Sequence, residues 1–292
     1  MALFWVSAAV VLRIFSNSLG NVYQKKLTNK GCNPYVINFV TYLLLSLSCL
    51  PLMFQTGLFK SDLHFWLYAL IIGLLGSLGN GFLVKALEFG DLSVLGPINS
   101  YKAVVGLILG MILLKEMPNL YGMAGMVLII LGSFFVLDSP KNRFSLKVFK
   151  RKDLQYRFLA LIFCAAEAVY LKKIILISDI TSAFVIWCLF GFLFSSVILF
   201  FKKIDYKFEL SVMKTRAALF FVNISVFAGV MQFTTNYVFS HMNVSYALAL
   251  FQLSSIVSII LGYKIFKEEN IMKKLIGAVI MILGAMLIIL CK

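Results

Sequence analysis

The sequence predicts an all-α membrane protein of ten transmembrane helices, arranged as two inverted five-helix repeats. Three observations predict it. Of 292 residues, 61% are hydrophobic and only 13% charged, where a soluble domain carries about a quarter charged; the mean hydropathy is +0.96. The apolar residues form long unbroken runs, not the ~10-residue alternating segments of a barrel. The second half of the chain also repeats the first, in a register set by polar residues and glycines.

A helix needs ~20 apolar residues to cross the hydrocarbon. Measured against that length, spans fall at 3–23, 35–54, 65–84, 92–114, 119–137, 157–176, 182–201, 217–239, 244–266 and 272–290. The first starts without a basic segment ahead of it, so it reads as a retained span and not as a cleaved leader. It carries Arg13, Asn17, Asn21 and Gln24 at steps of four, four and three, which is one helical face. That face is intolerable in lipid and must look into the bundle or a wet cavity. Spans 2 and 3 add Asn38 and Tyr42, then Gly73, Gly76 and Asn80; Lys85 and Glu88 at the end of span 3 read as interfacial. Span 4 holds Asn99 and Lys102, with Gly106 and Gly110 spaced for close helix packing. The basic stretch 139–156 is the longest polar connection and divides the chain into repeats 1–138 and 157–292. Span 6 contains Glu167, span 8 Gly229, Gln232 and Asn236, and span 9 Gln252, Ser255, Ser258 and Gly262. His241, ending span 8, reads as an ordinary interfacial side chain.

The duplication is explicit. Residues 86–137 slide onto 238–289 without a gap: Ser93 meets Ser245, Ile108-Leu109-Gly110 meets Ile260-Leu261-Gly262, and Lys115-Glu116 meets Lys267-Glu268. Gly125 meets Gly277, and Ile130-Leu131-Gly132 meets Ile282-Leu283-Gly284. Upstream, VYQKKL at 22–27 corresponds to VYLKKI at 169–174. Five spans per half oblige the second half to enter the membrane from the opposite side, the plan of secondary transporters with a site between the repeats near the midplane. In the paired stretches, Tyr23 and Tyr170 suit the aromatic belt, and Lys25-Lys26 and Lys172-Lys173 suit headgroup anchors.

Two five-span halves, each closing on a Lys-Glu turn and a glycine-bearing last helix (KEMPNLYGMAGMVLIILG and KEENIMKKLIGAVIMILG), resemble the drug/metabolite transporter superfamily, specifically its EamA-type members. The resemblance covers nearly the whole chain. It implies a central cavity lined by the first four helices of each half, with the fifth at the periphery, and both termini in the cytoplasm.

Charged residues inside spans default to functional roles, and Arg13, Lys102 and Glu167 lie mid-span. Two cations and one carboxylate favour a substrate with an anionic group. Arginine grips a carboxylate or phosphate bidentately and lysine acts as a point charge. The expected substrate-binding set is Arg13, Asn17, Asn21, Gln24, Asn99, Lys102, Gln232, Asn236 and Gln252, with Glu167 as carrier of a coupled proton. The competing structural reading pairs Glu167 with Arg13 or Lys102, and uses each amide to bond a neighbouring helix.

No zinc-protease, nucleophile-elbow or Walker motif is present, so no enzyme activity is expected. Five scattered cysteines without CxxC spacing suggest neither a disulfide frame nor a metal site, and no cofactor is expected. The net charge of +15 sits between apolar runs, as anchors and topology signals; no nucleic-acid partner is implied. Loops after odd-numbered spans hold 20 Lys and Arg, against five after even-numbered spans and at the C-terminus. The positive-inside rule therefore places the termini outside, against the resemblance. The expected partners are the lipid bilayer, a small-molecule substrate and protons; a homodimer through the peripheral helices is compatible with the pattern. The reading is a secondary transporter of a bacterial inner membrane, exporting a small polar or anionic metabolite such as an amino acid by alternating access. The alternatives are a flippase or exchanger for a lipid-linked sugar or nucleotide-sugar, and a non-transporting scaffold whose polar faces are all paired.

Overall fold

The structure, a computed structural model, describes residues 2–56, 62–105, 119–137, 150–213 and 217–290. Gly106, Gly110 and the Lys115-Glu116 pair lie outside the described residues, as does most of the 139–156 linker. The described residues form helices and no strand.

The first repeat holds α1 (Ala2–Thr28), α2 (Pro34–Gln55), α3 (Leu63–Phe89), α4 (Leu92–Ile98) and α5 (Leu120–Leu137). The second holds α6 (Lys152–Ile177), α7 (Ile180–Phe200), α8 (Tyr206–Met213), α9 (Ala218–His241), α10 (Val244–Phe251), α11 (Ser254–Phe266) and α12 (Ile271–Leu290). Local chemistry sets the boundaries. Asn33 accepts the Tyr35 N–H at 2.9 Å ahead of Pro34, Asp62 accepts from Phe65, and Asp179 accepts from Thr181 and Ser182. Each side chain satisfies an N–H that the first turn leaves free.

Among the described residues, seven helices are long and apolar enough to cross a membrane: α2, α3, α5, α7, α9, the 246–266 stretch of α10 and α11, and α12. The first and sixth helices, outside that set, carry mid-helix charges and amides: Arg13, Asn17 and Asn21 in α1, and Glu167 with Lys172-Lys173 in α6.

The expected unbroken spans 4 and 9 are each interrupted. Pro97 cannot donate and its ring crowds the preceding turn; Asn99 and Ser100 close short turns onto Gly96 and Pro97, and helix resumes at 101–105. Gln252 and Leu253 make the same short turns onto Ala249 and Leu250, without a proline. The loop after α7 contains a short helix, α8, that the span pattern does not predict: its eight residues are too few to cross and its apolar side chains Tyr206, Phe208 and Leu210 stay exposed.

The packing is pseudo-symmetric. Exchanging the halves turns the α1–α9 contact into α6–α3, and leaves α2–α7, α4–α11 and α5–α12 as pairs between equivalent helices. The α5–α12 pair is a glycine zipper in antiparallel order. A Cβ on Gly132 would lie 2.7 Å from the Gly277 carbonyl oxygen, and one on Gly125 2.5 Å from that of Gly284. Four of the six glycines that align the repeats, Gly125, Gly132, Gly277 and Gly284, are those that let the backbones touch.

Two expectations about basic residues need correction. Lys25 is not a headgroup anchor: it is buried, donating to the Gly90 carbonyl at 2.9 Å and to Glu268 at 2.8 Å. Its equivalent, Lys172, donates to the carbonyls of Phe239 and Met242. Each lysine thus satisfies carbonyls at the C-terminal end of its own repeat's third long helix, α3 or α9, where cations are favoured. Arg157, counted with the basic linker, is buried inside α6.

Candidate functional site

The helices enclose a cavity of about 140 Å³ between the two halves. Its wall includes Arg13, Asn17 and Asn21 of α1, Asn99 and Lys102 around the first helix break, Glu167 of α6 and Gln232 of α9. Seven of the ten sequence-predicted residues therefore meet at one place. They do so because the polar stripe of α1 faces the bundle, and because the break after α4 turns Asn99 and Lys102 inward.

Gln24, Asn236 and Gln252 are not on that wall. Gln24 donates to Asn80 at 3.2 Å, Asn80 to Asn38 at 2.6 Å, and Asn38 to the Ser77 carbonyl at 3.0 Å, an amide relay tying α1, α3 and α2. Asn236 accepts from Gln232 at 3.0 Å and donates to Ile180. Gln252 accepts from Asn99 at 3.1 Å. These amides bond neighbouring helices, the structural role weighed against ligand contact.

Four charged side chains line the cavity: Arg13, Lys102, Glu167 and Arg157. Arg13 lies with its guanidinium carbon 4.0 Å from the centre of the Phe251 ring, a cation–π contact. Its Nε and Nη1 are buried without a hydrogen-bond partner. Buried charges are ordinarily paired, so a guanidinium left open beside a cavity is disposed to take an anion. Lys102, half-buried, has no ion pair among the described residues. Glu167 accepts the Trp187 indole N–H at 2.6 Å and fills the space beside Gly76, where a Cβ would come within 2.5 Å of its oxygen. The expected Glu167 pairing with Arg13 or Lys102 does not occur; no salt bridge joins them.

Sequence reading missed Arg157 and Trp187, and named Tyr42 only as a lesser polar residue of span 2. Arg157 donates from Nε to the Leu95 carbonyl and from Nη2 to Asn99, both at 2.9 Å. It satisfies a carbonyl freed by the proline break and orients the amide facing the cavity. Tyr42 is buried with its hydroxyl unpartnered and its ring 4.9 Å from that of Trp187. The signal for Arg157 was available: its position fits the α6 face of Cys164, Glu167 and Leu171 at helical steps, all of which line the cavity. Its place at the end of a basic run concealed it.

A model of the EamA-like transporter family matches residues 2–138 and again residues 154–290. A crystal structure described only as that of a protein superposes with a TM-score of 0.67 over 98% of this chain and 97% of its own, at 12% identity, a likeness of fold alone. No curated protein matches the sequence. With both halves matched separately, this multi-pass integral membrane protein belongs to the EamA-like transporter family.

Proposed function

We propose that this chain is a secondary transporter for a small metabolite bearing an anionic group, such as an amino acid, and that it exports it by alternating access from a bacterial inner membrane. In this reading the chain crosses the membrane ten times, as inverted repeats 1–138 and 157–292 joined by the linker 139–156. The antiparallel α5–α12 zipper and the interchangeable helix contacts support that count, with α1 and α6 as the polar spans.

One observation carries the substrate class: the unpartnered Arg13 guanidinium faces a cavity that also holds Lys102. Arg13 grips the anionic group and Lys102 adds its charge. Asn17, Asn21 and Gln232 supply hydrogen bonds, and the Tyr42 hydroxyl offers another. Glu167 lines the same cavity, where it takes an ammonium group or carries a coupled proton. Gln24, Asn236 and Gln252 act behind the wall. A volume of about 140 Å³ is room for roughly ten waters, which suits a small metabolite better than the base, ribose and sugar of a nucleotide-sugar.

The experiment is transport in proteoliposomes. Anionic metabolites and amino acids are tested against imposed proton and counter-substrate gradients. A saturable flux lost in Arg13→Ala and Lys102→Ala supports the reading; equal transport by both variants sinks the site.

A further inference from the structure

One cluster of charges has no member on the cavity wall. Lys25 Nζ lies 2.8 Å from Glu268 and 3.7 Å from Asp91; Lys274 Nζ lies 2.7 Å from Ser93 Oγ and 3.9 Å from Asp91. The two Glu268 oxygens accept the backbone N–H groups of Leu92 and Ser93, at 2.9 and 2.8 Å. Lys25, Glu268 and Lys274 are each less than a tenth exposed, whereas Asp91 is open to solvent.

Every one of these ties except the Lys25–Asp91 contact joins one repeat to the other. Lys25, Asp91, Leu92 and Ser93 belong to the first, Glu268 and Lys274 to the second. The cluster also sits against one end of the cavity. Lys25 is one helical turn beyond Asn21, and Leu92, whose N–H Glu268 accepts, is itself a cavity residue. The turn that presents Glu268 is unusual: Lys267 has φ 56° and Asn270 φ 60°. Non-glycine residues adopt that region rarely, and where they do the surroundings hold them. Opposite, the position taken by Glu268 falls at Gly262, which has no side chain to exclude it.

We propose that Lys25, Glu268 and Lys274 form an inter-repeat latch that closes one end of the cavity and parts when the transporter opens to that side. The inference rests on the transport reading. Such a cluster is bistable. With the end closed, the charges are desolvated and held by one another; separating them without water leaves buried unpaired charges, which is strongly unfavourable. When the repeats rock apart, water enters and solvates each group, so the open state is again tolerable. Intermediate separations are poor, as a two-state gate requires.

Labelling of Cys164 tests the latch. Cys164 is a partly exposed residue of the cavity wall, so it reports access from either side. In the full chain, with Cys32, Cys49, Cys188 and Cys291 replaced by alanine, a membrane-impermeant maleimide is applied to each face of reconstituted vesicles. Removing one partner of the buried pair, in Glu268→Gln or Lys25→Met, is expected to raise the rate from a single face by ~10-fold or more, the same face for both. Glu268→Asp, which keeps the charge, should label near the parent rate. Unchanged labelling, or a rise from both faces, overturns the latch; unfolding gives the latter, and a normal Glu268→Asp then isolates it. The assay needs no substrate. One-sided labelling without transport of any anion would sink the transport reading and leave the latch standing.

Discussion

Asn99 donates to Gln252 across 3.1 Å, so the two interrupted helices, α4 and the α10–α11 pair, meet at their breaks. The residues occupy nearly equivalent positions in the two repeats. Arg157 holds the contact from behind through Asn99 Oδ1 and the Leu95 carbonyl. Arg157→Met should strand both acceptors and cost about 2–4 kcal/mol, read as a lower unfolding midpoint in detergent. Arg157→Lys should recover only part of that loss, because a lysine cannot reproduce the guanidinium's fixed fork.

Arg13 should separate function from stability. A substrate held by a charged hydrogen bond is expected to lose about 1.5–3 kcal/mol on Arg13→Met, a KM raised by one to two orders of magnitude in transport assays. The same substitution removes a buried guanidinium whose Nε and Nη1 have no partner. The unfolding midpoint of the unliganded protein should therefore hold steady or rise. A marked fall would mean that Arg13 is a structural residue.

Glu167→Gln keeps an oxygen for the Trp187 indole and removes the titratable charge. If Glu167 carries the coupled proton, flux driven by a proton gradient should disappear while substrate exchange at equal pH persists. Gly76→Ala should perturb the same group, since the added carbon would fall 2.5 Å from the Glu167 oxygen.

The glycine zipper predicts a steric effect remote from the cavity. On Gly132, a Cβ would meet Met281 Cγ at 2.6 Å and the Gly277 carbonyl oxygen at 2.7 Å. Gly132→Val should separate α5 from α12 and cost about 1–3 kcal/mol, as overpacking does. Thermal unfolding checks it.

Acid should weaken the latch. Burial alone would raise the Glu268 pKa, but the charge of Lys25 and hydrogen bonds from Lys25 and Ser93 outweigh it and hold the carboxyl below its usual range. Asp91 and Lys274 are the other charges in the cluster, with Glu269 acting on Lys274. A carboxyl depressed in the folded state stabilises fully above its unfolded pKa of about 4.3, and that stability is lost as pH falls through the folded value. The midpoint difference between the parent and Glu268→Gln should thus be largest at neutral pH and shrink towards zero in acid. Labelling of Cys164, taken relative to Glu268→Gln at the same pH so that the thiolate fraction cancels, should rise over the same range.

Much of this molecule is legible along the chain. Long apolar runs announce a membrane protein, and glycines and Lys-Glu pairs in a common register announce the duplication. The spacing of Arg13, Asn17 and Asn21 announces a face that lipid would not accept. Each depends on local composition or helical period. Where one amide in a stripe meets the cavity and the next a neighbouring helix, the period is silent. Gln24 continues the α1 face, yet its partner is Asn80 on α3.

The sequence by itself therefore determined the solvent, most of the helices and the two-repeat plan, because hydrophobic length, periodicity and a repeated register are all read along the chain, whereas the breaks at Asn99 and Gln252 and the short helix α8 emerge only in the structure. Only the tertiary structure decided which charges are used and how. Lys25 was drawn from the expected headgroup region into a pair with Glu268, 243 residues away, and Arg157 from a basic linker to the cavity wall. A buried charge must find partners in space, and nothing in local sequence names a partner that packing alone brings near.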